Sequence, residues 1–181
     1  IDEGYCDATI AAVISDRPDA AGLEYARARG IATQVVRLKD FADRGAWDQA
    51  LADAVADHNP ELVVLAGFMR ILGAPLIARF PHRIVNVHPA LLPALPGHDG
   101  PQQAITAGVR ISGCTVHDVD SGVDTGPVLA QAAVAVAPDD TAATLHARIQ
   151  RHEHALLPRV VDAIARGAIV LGATPRVLLE V

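Results

Sequence analysis

ELVVLAGF (61–68) is the run that decides the fold. It follows Pro60 and is nearly all apolar, which suits a parallel strand covered on both faces. Upstream, ATIAAVIS (8–15) reads as a strand closed by the turn formers Asp16 and Pro18. Residues 20–29 read as a helix that stops at Gly30, and TQVVRL (33–38) as a second strand. Trp47, Leu51 and Val55 recur every four residues, so 46–57 is an amphipathic helix. Downstream, a short helix over 75–79 leads to the strand IVNVH (84–88). Strand and helix thus alternate from 8 to 89. That is the pattern of a doubly wound α/β fold, a mostly parallel sheet with helices on both faces.

The second half changes rhythm. A short helix over 102–107 is followed by strand-like SGCTVHDV (112–119), a Gly- and Asp-rich turn DSGVDTG (120–126), and PVLAQAAVAV (127–136). The last two apolar pieces can pair as a hairpin. Asp139 or Asp140 is placed to cap a helix from about Thr141, with Leu145, Ile149 and Leu156 on its buried face. Pro158 should break or kink it before it resumes to Ala165, and Gly167 ends it. AIVLG (168–172) and VLLEV (177–181) are expected to add short strands. No repeat, low-complexity tract or linker interrupts 1–181, so one domain is expected.

Composition narrows the function classes. In 181 residues, 51% are hydrophobic and 20% charged, a globular balance. Aromatics are only 3%, so Val, Leu, Ile and Ala must build the core. A net charge of −6 leaves no basic footprint for nucleic acid. Cys6 and Cys114 are too few for a disulfide framework and lack metal spacing. His152 and His154, two apart on a helix, face different sides, so no metal is expected. No apolar run reaches the roughly 18 residues that span a bilayer, and no signal peptide opens the chain. A cytoplasmic protein without a membrane partner is expected.

Chemistry concentrates in IVNVHPALLPALPG (84–97). Asn86 and His88 are two apart on a strand, so both side chains leave on one face. Pro89 ends the ladder, and Pro93, Pro96 and Gly97 hold a stiff path beyond it. An amide donor beside an imidazole at a strand end suits chemistry on a carbonyl group. A core histidine satisfied by a backbone carbonyl fits the same spacing. Asp124, in a Gly-flanked turn, reads alone as a cap on its own backbone; beside His88 it would favour the imidazolium. Arg44 and Glu153 read alone as surface charges, while Arg70 follows an apolar strand end where ligands bind. Neither GxGxxG nor a Walker loop is present.

Four ordered motifs carry a resemblance: AGFMRIL (66–72), IVNVHPALLPALPG (84–97), GCTVHDVDSGVDTGP (113–127) and EHALLP (153–158). Together they resemble the phosphoribosylglycinamide formyltransferase family, folate-dependent enzymes of purine synthesis, from about residue 10 to about 167. The resemblance implies a formyltransferase-like, Rossmann-like domain. It implies transfer of a formyl group from 10-formyltetrahydrofolate to the amine of glycinamide ribonucleotide, without metal, by a monomer or homodimer.

It also implies roles. Asn86 would donate to the formyl oxygen, His88 as imidazolium would assist and protonate the departing folate nitrogen, and Asp124 would hold that charge and shuttle protons. Arg44, Asn86 and the backbone of Met69, Arg70, Ile71 and Leu72 would hold the folate, with Val119, Asp120, Val123 and Asp124 closing over its pterin. Asn86, Pro89 and Glu153 would contact the ribonucleotide. Two departures stand out. The family opens with a strand and a Gly-, Ser- and Asn-rich phosphate loop, whereas this chain starts with IDEGYCDAT, so weak ribonucleotide binding is expected of it. Asp99 stands where the family usually carries histidine, with His98 one place earlier. A formyltetrahydrofolate hydrolase, another formyltransferase of the same fold, and a folate-binding module without turnover are the competing readings.

Overall fold

The computed structural model describes residues 6–172. By contact the described residues divide into two compact units, one of residues 6–8, 64–69 and 82–172 and one of residues 9–63 and 70–81.

The second unit is built on a pair of parallel strands, β1 (Ala12–Ser15) and β2 (Ala32–Val35), in register from Ala12↔Ala32 to Ser15↔Val35. Both strands are shorter than the sequence suggests, because pairing begins only where Ala32 arrives opposite Ala12. Helix α1 (Ala21–Arg27) packs on both strands through Leu23 and Ala26, and Gly30 beyond it takes a left-handed φ of 69°. Asp43 caps α2 (Arg44–Ala56) by accepting the Ala46 N–H at 2.8 Å, an interaction worth about 0.5–2 kcal/mol. Trp47, Leu51 and Val55 are buried along one stripe of α2, as the four-residue spacing requires. The indole Nε1–H of fully buried Trp47 donates to the Val36 carbonyl at 2.8 Å. Helix α3 (Ala74–Arg79) packs on α2. A Cβ at Gly73 would lie 2.3 Å from Asp48 Cγ, so only glycine lets this approach close.

The first unit holds a four-stranded sheet in the order β3 (Val63–Leu65), β4 (Ile84–His88), β5 (Ile111–Asp118), β6 (Val128–Ala135). Here β4 pairs antiparallel with β5, and β5 with β6, so the expected hairpin forms. The α/β class holds, with parallel pairing in β1–β2 and antiparallel pairing across β4–β6. Strand β5 is buried from Ser112 to Asp118. Helix α4 (Gly100–Ala107) packs on α5 (Ala142–Ala165), and α5 lies on β5 and β6.

Two expectations for α5 are corrected. The cap is Thr141, which accepts from Thr144 N–H at 3.2 Å while Thr144 Oγ1 accepts from Thr141 N–H at 2.9 Å. Asp140 instead receives Arg148 on both carboxylate oxygens at 2.8 Å. Arg148 thereby holds that carboxyl well below the usual range. Pro158 does not break the helix, which runs through it. One backbone hydrogen bond is lost there, and burial of Leu156, Val160 and Ala163 on either side offsets it. Val170 makes an isolated bridge. VLLEV (177–181) lies outside the described residues.

Candidate active site

The antiparallel register sets Asn86 opposite His117 and His88 opposite Thr115. Directly opposed residues share a sheet face, so strand geometry alone lines up one polar row. Gln131 on β6, opposite Thr115, extends it. A bulge between Val116 and His117 shifts the β5–β6 register next to His117, the kind of irregularity that re-aims a side chain.

Thr115 and Gln131 anchor the proline-rich loop. Thr115 Oγ1 donates to the Ala90 carbonyl at 2.7 Å and accepts from Leu92 N–H at 3.0 Å. Gln131 Nε2 donates to the Leu92 carbonyl at 2.8 Å and to Thr115 Oγ1 at 3.0 Å. So pinned, the loop brings the Leu95 carbonyl onto His88, whose Nε2–H donates to it at 2.9 Å. It also brings the Gly97 N–H onto Asp124 Oδ2 at 2.8 Å.

Asp124 arrives from the turn after β5. Asp120 folds that turn, its Oδ1 accepting from Gly122 N–H at 2.9 Å and Thr125 Oγ1–H at 2.7 Å. The backbone-capping role therefore falls to Asp120. Asp124, at a left-handed φ of 54°, faces the histidines. Its Oδ2 lies 3.4 Å from His88 Nδ1 and its Oδ1 lies 3.6 Å from His117 Nε2. His88 is buried and both of its ring nitrogens face oxygens. The core-histidine reading describes Nε2, which is satisfied by a backbone carbonyl, while Nδ1 faces a carboxylate.

His117 is the residue the sequence reading missed; the parity of TVH (115–117) against NVH (86–88) was the available signal. Its Nδ1–H donates to the Asp118 carbonyl at 2.8 Å, which leaves Nε2 to accept the Asn86 amide at 3.2 Å. Burial pushes this imidazole below the ordinary histidine range, against the upward pull of the Asp118 carbonyl and the Asp124 charge. A neutral His117 fits its role as acceptor.

A cavity of about 360 Å³ opens at Asp124, lined by Leu92, Pro93, Pro96, Val123, Thr125 and Val128 among others. Val119 ties the turn to β4 by donating to the Ile84 carbonyl at 2.9 Å. Pro89 is half-buried and packs its carbonyl where a Cβ at Gly100 would meet it at 2.9 Å. Glu153, half-buried on α5, has its carboxyl raised by burial. Burial, and after it the Glu153 charge, lifts the Cys114 thiol to about 11. Exposed His98 and Asp99 pair with each other at 2.9 Å. Met69 is exposed.

In the second unit, Arg44 is not a free surface charge. Its Nη2 donates to the Ile71 carbonyl and its Nε to Asp48 Oδ1 at 2.8 Å. Arg70 pairs with Asp16. Arg44 is thus joined to the segment at Ile71.

A family model for formyl transferases matches residues 1–161. The chain is 48% identical over 172 residues to the phosphoribosylglycinamide formyltransferase of Mycobacterium tuberculosis, covering 94% of this chain and 80% of that one. Among solved structures, glycinamide ribonucleotide transformylase 1 from Symbiobacterium toebii superposes with a TM-score of 0.93 at 43% identity, over 98% of this chain and 84% of that one. A formyltetrahydrofolate deformylase from Pseudomonas syringae pv. tomato superposes at 0.86, with 26% identity over 95% of this chain and 57% of that one.

Proposed function

This chain belongs to the formyl transferase family, among the phosphoribosylglycinamide formyltransferases, and from that premise we propose how its residues divide the work. The reaction moves a formyl group from 10-formyltetrahydrofolate to the amine of glycinamide ribonucleotide, a step of purine biosynthesis. Attack of the amine on the formyl carbon makes a tetrahedral oxyanion and leaves a poor leaving group on the folate nitrogen. The enzyme must stabilise the first and protonate the second.

Asn86 has two amide N–H groups. One is held by His117 Nε2, and the other is the donor to the oxyanion. A preorganised donor of this kind is worth about 2.7–4 kcal/mol. His88 supplies general-acid help, worth about 10²–10⁴-fold. The Leu95 carbonyl accepts from Nε2–H and Asp124 Oδ2 lies 3.4 Å from Nδ1, so the ring keeps its orientation when it gains or gives a proton. Asp124 balances the imidazolium charge and relays the proton released by the attacking amine.

The observation that carries this reading is the placing of Asp124 Oδ2 3.4 Å from His88 Nδ1, beside the paired Asn86 amide. The cavity at Asp124 accepts folate, with Val119, Asp120, Val123 and Asp124 closing over its pterin. Within the second unit, Arg44 and the backbone of residues 70–72 are folate-holding residues in this reading, as is Met69 in the first. Pro89 and Glu153 face the ribonucleotide. The chain works in the cytoplasm as one formyltransferase domain, monomeric or homodimeric; no described helix is long and apolar enough to cross a membrane.

The test is a formyl-transfer assay run with and without ribonucleotide. Folate turnover that requires ribonucleotide supports the transferase. Formate release without it would identify a hydrolase, and binding without turnover a folate-binding module.

A further inference from the structure

We infer that Asp16 is a positioning residue for folate binding, acting through Arg70 on the backbone of residues 70–72. The inference rests on the transferase reading and deepens it.

Asp16 directly follows β1 and is half-buried. Its Oδ2 accepts from Arg70 Nε at 2.5 Å, across 54 positions of sequence. The Arg70 guanidinium lies 5.8 Å from the centroid of the Trp47 ring. Arg44 also lies over that indole, at 4.9 Å, with Asp48 as its own carboxylate. Two cations thus share one fully buried indole, and each is matched by a separate carboxylate. A cation within about 6 Å of an indole centroid is attracted to the ring.

This frame acts on a segment with no regular structure of its own. Residues 70–73 belong to neither helix nor strand. Arg44 holds the segment by the Ile71 carbonyl, and the close approach of Gly73 to Asp48 holds its far end. Arg70 holds its near end, and among the described residues Asp16 and the indole hold Arg70. Among the described residues, the backbone N–H groups of Arg70, Ile71 and Leu72 have no hydrogen-bond partner. They are left for a ligand, and their directions follow from how the segment is pinned. Without Asp16, Arg70 loses its anion and the segment's near end is released. The cost then falls on ligand ordering, because binding must fix what was previously preorganised.

The experiment is steady-state kinetics on the full chain, varying 10-formyltetrahydrofolate and ribonucleotide separately. Asp16→Ala should raise the folate KM about tenfold, with kcat within about twofold and the ribonucleotide KM unchanged, the signature of lost uniform binding. Asp16→Asn should restore most of the loss, since its amide oxygen still accepts from Arg70 Nε–H. An unchanged folate KM in Asp16→Ala, equal rises in both KM values, or a fall in kcat alone overturns the inference. Wild-type protein that neither turns over nor binds folate overturns the transferase reading and this inference together. Wild-type turnover with Asp16→Ala indistinguishable from it overturns this inference alone.

Discussion

The Asn86 amide gives one N–H to Nε2 of His117, at 3.2 Å, across the β4–β5 ladder. An amide can rotate, and one fixed donor sets the direction of the other. His117→Ala should therefore lower kcat about tenfold while leaving both KM values in place, the loss of one orienting hydrogen bond of about 1–1.5 kcal/mol. Steady-state kinetics decide it; an unchanged kcat removes His117 from the mechanism.

The same histidine sets a pH dependence. Burial holds its folded-state value below the ordinary one. A group depressed in this way contributes stability that is full above its unfolded value, about 6.5, and is lost as pH falls through the lowered value. The Tm gap between wild type and His117→Gln, which cannot titrate there, should narrow from about pH 7 to about pH 5. A constant gap would contradict the assignment.

Asn86→Ala and His88→Ala should each reduce kcat by about 10²–10⁴-fold, because both groups meet charge that develops in the transition state. Folate affinity measured by calorimetry should change little. A mutant that keeps wild-type turnover rules its residue out.

Glu153 is held half-buried with its carboxyl raised by burial. A raised carboxyl contributes stability below its unfolded value, about 4.3, and loses it as pH rises through the raised value. Near pH 7.5, then, ionised Glu153 costs stability. Glu153→Gln should raise Tm by about 1–3 °C there and by almost nothing near pH 4, while the ribonucleotide KM rises. A Tm gain independent of pH would point to packing instead.

Gly126 closes the turn that presents Asp124. A Cβ at this position would lie 1.9 Å from the Asp118 carbonyl oxygen, and backbone cannot yield as a flexible side chain would. Gly126→Ala should cost about 1–3 kcal/mol, lowering Tm by several degrees, and kcat should fall as Asp124 shifts from His88. Wild-type Tm and kcat together would show that the turn relaxes freely.

Local chemistry made most elements legible. The four-residue spacing of Trp47, Leu51 and Val55 dictates a buried helix stripe whatever surrounds it, and the parity of Asn86 and His88 puts both on one face. Element order and class follow from such periodicities, as does the hairpin of β5 and β6. Where local signals competed, packing decided: Pro158 sits inside α5 because burial on both sides outweighs one lost hydrogen bond, and Asp140 serves Arg148 while Thr141 caps.

By itself, then, the sequence determined the α/β alternation, the motif set and the Asn86–His88 face, all of which depend on neighbours a few residues apart. Tertiary structure alone decided what meets that face. His117 reaches Asn86 through a cross-strand register, Thr115 and Gln131 pin the proline loop from other strands, and Asp16 finds Arg70 across 54 positions. Such pairings are set by how strands align and side chains pack at long sequence separation, where no periodicity in the chain records the distance.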